Sequence, residues 1–468
     1  MATMNNRQTT LNEAIGVSGV GLHTGLQVTM RLLPADINHG IKFKRVDLDG
    51  QPVIPADVDL VVDVSRGTTL EREGARIGTI EHLLAALIGM EVDNVLIEID
   101  APEVPIMDGS AAHFVEVIKE AGVVEQQAER QYLVINSNLT YSEPDRHVDM
   151  IAMPYESGTR MTVMIDYNSP VLGSQHASIT SMSQFEDEIA SSRTFCFLHE
   201  LEALSKANLI KGGDLDNAIV VVDRKVEDHE LNGLAKLLNK EKISVKEEGI
   251  LNNVELRHLN EPARHKLLDL IGDLALVGAP IKGHIMAARP GHAANVEFAK
   301  ELKELWLKQK KNPPAPLYDP NKTPVFTNQD IQRLLPHADP FILVDKVIEL
   351  SENHIVGIKN VTVDQPFFKG HFPGNPVLPG VLQIETMAQT GGVMILSNVD
   401  DPENYDTYFM KIDNCKFKEK VVPGDTLIIK AQLTRPVRRG ICSMYCQIYV
   451  GNKMVTEAEL MAAVVKRD

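Results

Sequence analysis

One proline-rich stretch constrains this chain more than any other feature. LWLKQKKNPPAPLYDPNKTPVF (Leu305–Phe326) holds five prolines and a basic run. Proline fixes φ and lacks an N–H, so neither a long helix nor a central strand passes through such a segment. It reads as a semi-extended linker between independently folded units. At 468 residues the chain is also too long for one ordinary core. The expected division is 1–128 and 129–304 for two halves of a first unit, 305–324 for the linker, and 325–468 for a last domain of single-core size.

Before the linker, the most informative stretch is EPARHKLLDLIGDLALVG (Glu261–Gly278). Pro262 sits where a first helical turn tolerates it. Leu267, Leu268, Leu270, Ile271, Leu274 and Ala275 then recur with a period of three and four, which predicts an amphipathic helix. His265, Asp269 and Asp273, at i, i+4 and i+8, fall on a narrow stripe away from most of those leucines. A His and an Asp one turn apart can grip one metal ion. The plain alternative is a solvated, acidic helix face.

Further upstream, VSGVGLHTG (Val17–Gly25) predicts a tight loop with His23 projecting. By itself His23 reads as a local hydrogen-bonding residue. Leu26, Val28, Met30 and Leu32 then alternate with Gln27, Thr29 and Arg31 as in a half-buried strand. GTIEHLLAALIG (Gly78–Gly89) predicts a helix capped by Thr79, with Leu83, Leu84, Ala86, Leu87 and Ile88 buried. Glu81 and His82 point about 100° apart in its first turn. That suits a metal ligand beside a carboxylate base; the alternative is a surface helix whose Glu favours the N-terminal dipole. DNVLIEID (Asp93–Asp100) reads as a strand, and APEVPIMDGSAAHF (Ala101–Phe114) as a loop leading into a short helix. TIEHLLAALIG and RHKLLDLIGDLALVG both set a His at the start of an apolar helix after a strand-rich stretch. This echo predicts two similar α+β halves facing each other, with a site built from both helices.

In the second half, Leu133–Leu139 and Met161–Tyr167 read as strands, and SSRTFCFLHE (Ser191–Glu200) places Thr194 among aromatics. NLIKGGDLDNAIVVVD (Asn208–Asp223) is a Gly-Gly turn before an apolar strand of core type. Residues 224–260 are charged and helix-prone. In IMAARPGHAAN (Ile285–Asn295) a Pro290-Gly291 turn delivers His292.

Charge and composition exclude several classes. The net charge of −17 argues against a nucleic-acid or anionic-membrane surface. The four cysteines, Cys196, Cys415, Cys442 and Cys446, do not suggest a disulfide framework and read as reduced thiols. MATMNNRQTT has no basic-plus-apolar leader, and no apolar run approaches about 18 residues. The expectation is a soluble cytoplasmic protein without a membrane span.

VGLHTG, TIEHLLAAL, PIMDGSA, SRTF, RHKLLDLIGDL and GHAAN, in this order, resemble the zinc-dependent UDP-3-O-(3-hydroxyacyl)-N-acetylglucosamine deacetylases of lipid A synthesis over residues 7–305. The resemblance implies one zinc ion per chain, held by His82, His265 and Asp269, with a coordination position open for water. It implies Glu81 as general base, and His292 as general acid and oxyanion support, oriented by Asp273. Thr194 would help hold the oxyanion, Lys266 would meet the phosphate or carboxylate side of the substrate, and Arg289 and His23 would contact substrate. Two features depart from the family pattern. Residues 224–260 run longer than usual, and Arg289 stands where Lys is frequent, which changes hydrogen-bond geometry toward a phosphate.

After the linker, TNQDIQRLLPHADPFILVDKV (Thr327–Val347) reads as a short helix, a turn and a strand. In KNVTVDQPFFKGHFPGNPVLPGVLQIETMAQTGG (Lys359–Gly392), Gly370, Pro373 and Gly374 bracket His371, and Pro379-Gly380 opens a helix that is apolar or small almost all round. Such a helix is buried. Glu385 is its one carboxylate; buried, it is either a structural hydrogen-bonding group or catalytic. Tyr405 to Val465 is strand upon strand, turning at Pro423-Gly424, Arg439-Gly440 and Gly451-Asn452. One long helix wrapped by an antiparallel sheet is a hot-dog arrangement.

PHADPFILVD, GHFPGNPVLPGVLQIE, MAQ and FKEKVVPGD resemble the 3-hydroxyacyl-[acyl-carrier-protein] dehydratases over residues 327–468. Glu rather than Asp in the helix favours the plain dehydratase over the relative that also isomerises. The resemblance implies that His371 removes the C2 proton, Glu385 helps protonate the departing hydroxyl, and the Gly380 N–H polarises the thioester carbonyl. It further implies sites built from two chains and a homo-oligomer, a hexamer arranged as a trimer of dimers. Lys416, Lys418, Arg435, Arg438 and Arg439 would meet an acidic carrier protein; ordinary solvated strand edges are the alternative for each. The whole reading is a bifunctional enzyme acting on a UDP-sugar lipid and on acyl carrier protein thioesters. Its rivals are one half reduced to a binding or assembly module, and a thioesterase on the hot-dog fold.

Overall fold

In a computed structural model the described residues are 6–155, 157–200, 217–224, 226, 249–251, 255–311 and 313–467. They fall into two units, Met1–Leu307 and Lys308–Asp468. In the first, strands β1 (Ile15–Val20), β2 (Gln27–Pro34), β3 (Ile41–Arg45), β4 (Val53–Pro55) and β5 (Val95–Ile99) form a sheet in the order β1-β2-β5-β3-β4. Strands β6 (Leu139–Glu143), β7 (Val148–Met153), β8 (Thr159–Asp166), β9 (Ser174–Ile179) and β10 (Ile281–Ala288) form another, β6-β7-β10-β8-β9. Along each of these paths one pair is parallel, β3 with β5 and β8 with β10, and the other neighbours run antiparallel; the two-residue strand Leu133–Val134 adds a sixth member to the second sheet, parallel to β10. Helix α1 (Glu81–Gly89) precedes β5 and α2 (Ala112–Ala121) follows it; α3 (Glu261–Leu274) precedes β10 and α4 (His292–Lys311) follows it. The echo between the two His-bearing helices is thus one part of a repeated α+β half.

Binary patterning accounts for how these elements seat. In β2, Val28, Met30 and Leu32 are fully buried while Thr29 and Arg31 face out; Leu26 lies before the strand and is exposed. Helix α1 is buried along nearly its whole length, as its apolar composition requires, and packs on α3. That contact overturns the reading of His265, Asp269 and Asp273 as a solvated face, because α1 covers the stripe and all three are buried. Helix crossing is close at Gly272, where a Cβ would lie 2.0 Å from the Glu81 carbonyl oxygen. Two local expectations are corrected. Thr79 does not cap α1: its φ is +56°, and its hydroxyl donates to Glu103 at 2.9 Å. The predicted strand over Leu133–Leu139 is broken into Leu133–Val134 and the start of β6. The Gly-Gly turn near residue 212 and most of 224–260 lie outside the described residues; Ile219–Val221 is a fully buried short strand.

In the second unit a capping box from Thr327 and Asp330 starts α5 (Asn328–Leu334). Strands β11 (Lys346–Leu350), β12 (His354–Asn360), β13 (Tyr405–Phe417), β14 (Thr426–Leu433), β15 (Ile441–Val450) and β16 (Lys453–Lys466) form one antiparallel sheet, β11-β12-β14-β15-β16-β13. Helix α6 (Gly380–Leu396) packs on one face of it, the hot-dog arrangement. Side chains alternate along a strand, so Ile355, Leu427 and Ile429 face α6 while Val356, Ile358 and Ile428 form a second cluster on the other face. Ala315 and Tyr318 pack against that second cluster, and Lys346 Nζ stands 4.9 Å from the Tyr318 ring. The expected linker is therefore not a free tether. Its first residues continue α4 to Lys311, and part of the proline-rich stretch straps the outer sheet face. None of the described helices is long and apolar enough to cross a membrane.

Candidate active sites

Helices α1 and α3 each deliver a histidine and a carboxylate to one buried cluster. His82, His265 and Asp269 offer ligand atoms that all lie within 4.8 Å of one another. Asp269 Oδ1 is 3.3 Å from His265 Nε2 and 3.7 Å from His82 Nε2. His265 Nδ1 donates to the Ser192 carbonyl at 3.0 Å, which fixes its tautomer and turns the Nε2 lone pair into the cluster. Asp269 Oδ1 is buried without a hydrogen-bond partner. A buried anionic oxygen left so beside two imidazole nitrogens is costly unless a cation joins it, and two His with one Asp is a donor set that zinc accepts. The residues fit a zinc ion.

Around the cluster sits acid–base machinery. His292, the first residue of α4, donates from Nδ1 to Asp273 at 2.9 Å and turns Nε2 toward Glu81 and Asp269, 3.9 Å from each. Asp273 also accepts from Thr68 Oγ1 at 2.6 Å and Asn295 Nδ2 at 2.8 Å. The Thr68 N–H donates to Glu81 at 3.0 Å, and neighbouring Gly67, at φ +150°, has no room for a Cβ, which would lie 2.8 Å from Glu81 Oε1. Burial raises the Glu81 pKa to about 7. Burial, with His265 alongside, lowers His82 to about 3, so it is a neutral imidazole. Burial alone would lower His292, but Asp273, Asp269 and Glu81 overcome it and push it up to about 10. Burial likewise opposes the Asp269 charge, yet His265, Lys266, His292 and His82 hold its pKa well below the usual carboxylate range. A carboxyl near neutrality, a neutral imidazole and a cationic imidazole thus stand within one buried cluster.

The other expected residues are placed as follows. Thr194 is held by backbone bonds, its N–H to Gly109 O at 2.7 Å and its carbonyl from Ile219 N–H at 2.8 Å. Lys266 pairs with Asp269 Oδ2 at 2.8 Å and lies 5.7 Å from the Phe195 ring. The His23 N–H donates to the Glu103 carboxylate oxygens at 2.9 and 3.2 Å, and its Nε2 is 3.2 Å from Arg66 O. Arg289, at φ +51°, reaches Asp166 at 3.4 Å. Thr68 and Asn295 were not foreseen as site residues. Thr68 lies in a featureless RGTT, although Asn295 closes the quoted GHAAN.

In the second unit His371 Nδ1 donates to the Val377 carbonyl at 2.8 Å, which commits Nδ1 and leaves Nε2 as the ring nitrogen available to the substrate. Gly380 is the first residue of α6, where an N–H has no intrahelical acceptor. Glu385 lines a pocket with His337, Gln389, Tyr408 and Phe409, and His371 is not among its lining residues. No hydrogen bond or ion pair joins His371 to Glu385 among the described residues of one chain. Burial would raise the Glu385 pKa, but hydrogen bonds from His337 and Gln389 outweigh it and hold the carboxyl below its usual value. Lys416 and Lys418 pair with Glu457 at 3.6 and 3.2 Å, Arg435 donates to Ser443 Oγ, and Arg438 and Arg439 are exposed.

Fold and site together define a two-part enzyme: a repeated α+β unit enclosing a metal-type cluster beside an acid–base pair, then a hot-dog domain. The family model described as UDP-3-O-acyl N-acetylglycosamine deacetylase (LpxC) matches residues 8–232 and 231–304. One described as a FabA-like domain matches residues 335–459. A protein of Bacteroides thetaiotaomicron named bifunctional enzyme LpxC/FabZ is 48% identical over 461 residues, spanning 98% of this chain and 99% of its own. One of the same name from Chlorobaculum tepidum is 47% identical over 466 residues, again 98% and 99%. A UDP-3-O-acyl-N-acetylglucosamine deacetylase of Myxococcus xanthus is 41% identical over 296 residues, 63% of this chain and 86% of that one. The chain belongs to the bifunctional LpxC/FabZ enzymes, a deacetylase and a dehydratase in one polypeptide.

Proposed function

We propose that the first unit removes the acetyl group of UDP-3-O-(3-hydroxyacyl)-N-acetylglucosamine with one zinc ion held by His82, His265 and Asp269. The observation that carries this is the partnerless Asp269 Oδ1 buried beside two imidazole nitrogens. A zinc ion held there would polarise the substrate carbonyl and lower the pKa of a water to about 7. Glu81 takes the proton of the attacking water; a base poised near neutrality suits that task. His292, cationic and pinned by Asp273, supports the oxyanion and hands its proton to the departing amine. Thr194 supports the oxyanion, Lys266 neutralises charge on the Asp269 side, and Arg289 and His23 flank the substrate.

The second unit converts 3-hydroxyacyl-[acyl-carrier-protein] to the trans-2-enoyl thioester. His371 Nε2 removes the C2 proton, the Gly380 N–H polarises the thioester carbonyl, and Glu385 helps protonate the departing 3-hydroxyl. Resting Glu385 is a carboxylate, so it takes one proton from solvent as the substrate binds and gives it to the departing 3-hydroxyl, which leaves as water; His371 then returns the C2 proton to solvent. Two copies build each site. In favour stand the lack of any hydrogen bond or ion pair between His371 and Glu385 among the described residues of one chain and the edge strand β13, which leaves Phe409, Met410, Ile412 and Phe417 at 42–53% exposure. A long apolar edge calls for a partner, and a trimer of such dimers gives the hexamer. Lys416, Lys418, Arg435, Arg438 and Arg439 receive the acidic carrier, and the enzyme works in the cytoplasm with its four cysteines unpaired.

The deciding experiment is acetate release from the UDP-sugar substrate by the purified chain, with a chelator and after zinc is added back. Loss with the chelator and return with zinc supports the metal cluster and the substrate together. No release under any condition, with dehydration intact, reduces the first unit to a binding module. H265A and H371A must each abolish one activity alone, and a free acid in place of an enoyl thioester makes the second unit a thioesterase.

A further inference from the structure

PHADPFILVD contains neither His371 nor Glu385, yet this segment is what reaches Glu385. His337 Nε2 stands 3.3 Å from Glu385 Oε1. Gln389, one turn along α6, donates from Nε2 to the same oxygen at 2.9 Å. The loop fixes that amide: Nε2 also donates to the Phe341 carbonyl at 2.8 Å, and Oε1 accepts from the Leu343 N–H at 2.8 Å. Both amide hydrogens and the amide oxygen are then committed. The loop thus holds Glu385 twice, directly through His337 and indirectly through Gln389. Both contacts fall on Oε1; Oε2 takes none from the described residues.

The His337 ring stacks on Phe341, centroids 6.0 Å apart at 21°. Its Nδ1 is buried without a hydrogen-bond partner among the described residues. A ring kept for packing alone carries that unpaired nitrogen at a cost a phenyl ring avoids. The Nε2 contact with Glu385 is the compensating feature, and an ionised carboxylate makes Nε2 the donor.

We propose that His337 is a positioning residue for the dehydration. With Gln389 it pins Oε1 of Glu385, so that Oε2 meets the departing 3-hydroxyl. The inference rests on Glu385 serving the dehydration, and the test separates the two. Dehydratase kcat and KM, acetate release and thermal midpoint are measured on the full chain for H337F, H337Q and E385Q. H337F keeps the stacked ring and removes the donor; H337Q keeps an amide N–H at the reach of Nε2 and removes the ring. The expected result is a fall in kcat of up to about 100-fold for H337F, with KM, midpoint and acetate release unchanged. H337Q recovers most of that rate even where its midpoint is lower. If H337F unfolds, H337A replaces it in the same comparison. Rates that follow the thermal midpoint, with H337F near wild type or H337Q no better than H337F, overturn the inference. E385Q that dehydrates normally overturns the Glu385 role itself, whereas an inactive E385Q beside an active H337F leaves that role standing and removes His337 from it.

Discussion

At the residue scale, each half of the chemistry depends on groups that hold other groups. Asp273 accepts from Thr68, His292 and Asn295 and is wholly buried. D273N keeps the shape and removes the charge that makes His292 a cation. Deacetylation is expected to fall by about 10²–10⁴-fold, the range for a lost general acid. Acetate release checks it, with dehydration by the same chain as internal control. Glu261, at the start of α3, is a second case. It accepts from the Arg193 N–H, Nε and Nη2 and from the Arg257 N–H, at 2.7–3.2 Å. Burial would raise its pKa; those bonds prevail and hold it below the usual value. A depressed folded pKa contributes stability above the unfolded value of about 4.3 and loses it as pH falls through the folded pKa. R193A is expected to cost about 3 kcal/mol at neutral pH, because a buried charge loses its partner, and to move acid unfolding to higher pH. Urea midpoints across pH measure both; an unchanged acid limb contradicts the assignment.

At the element scale, the proposed deacetylase site lies at the crossing of α1 and α3. The first-turn pair Glu81 and His82 meets the stripe of His265, Asp269 and Asp273 only because Gly272 lets the backbones touch. G272A pushes a Cβ onto the Glu81 backbone rather than onto a flexible side chain. It is expected to cost about 1–3 kcal/mol and to cut acetate release by about 100-fold, since a displacement near 1 Å suffices for that. Dehydration remains normal; normal acetate release with a normal thermal midpoint would show that the helices can separate freely. Much of this crossing was legible. The period of Glu261–Gly278 and the twin His-helices predicted both helices and a site between them. The solvated reading of the stripe failed because an amphipathic pattern shows which side is apolar, not what covers the polar side. Thr79 failed as a cap because its left-handed φ and its bond to Glu103 come from tertiary contacts.

At the scale of the whole molecule, the proline-rich stretch both divides the chain and serves the unit after it. Tyr318 lies half-buried on the outer sheet face with Val356, Ile358 and Ile428. Y318A in the full chain is expected to destabilise the dehydratase unit by about 1 kcal/mol, a partial loss of one buried aromatic. Differential scanning calorimetry, with acetate release unaffected, checks it. No shift in either transition would make the strap incidental.

The sequence by itself determined the division into two units, the helix and strand types, the repeated α+β halves, the hot-dog helix with its lone carboxylate, and the candidate residues proposed for both sites. Periodicity, proline and spacing are local signals, and those features are written locally. Only the tertiary structure decided the shared strand order of the two sheets, the burial of the polar stripe on α3, the contacts of Thr68 and Asn295 with Asp273, and the hold of His337 and Gln389 on Glu385. These join residues up to 205 positions apart, as Thr68 and Asp273 are. Which polar groups find each other across such distances depends on how whole elements pack, and no single segment carries that information.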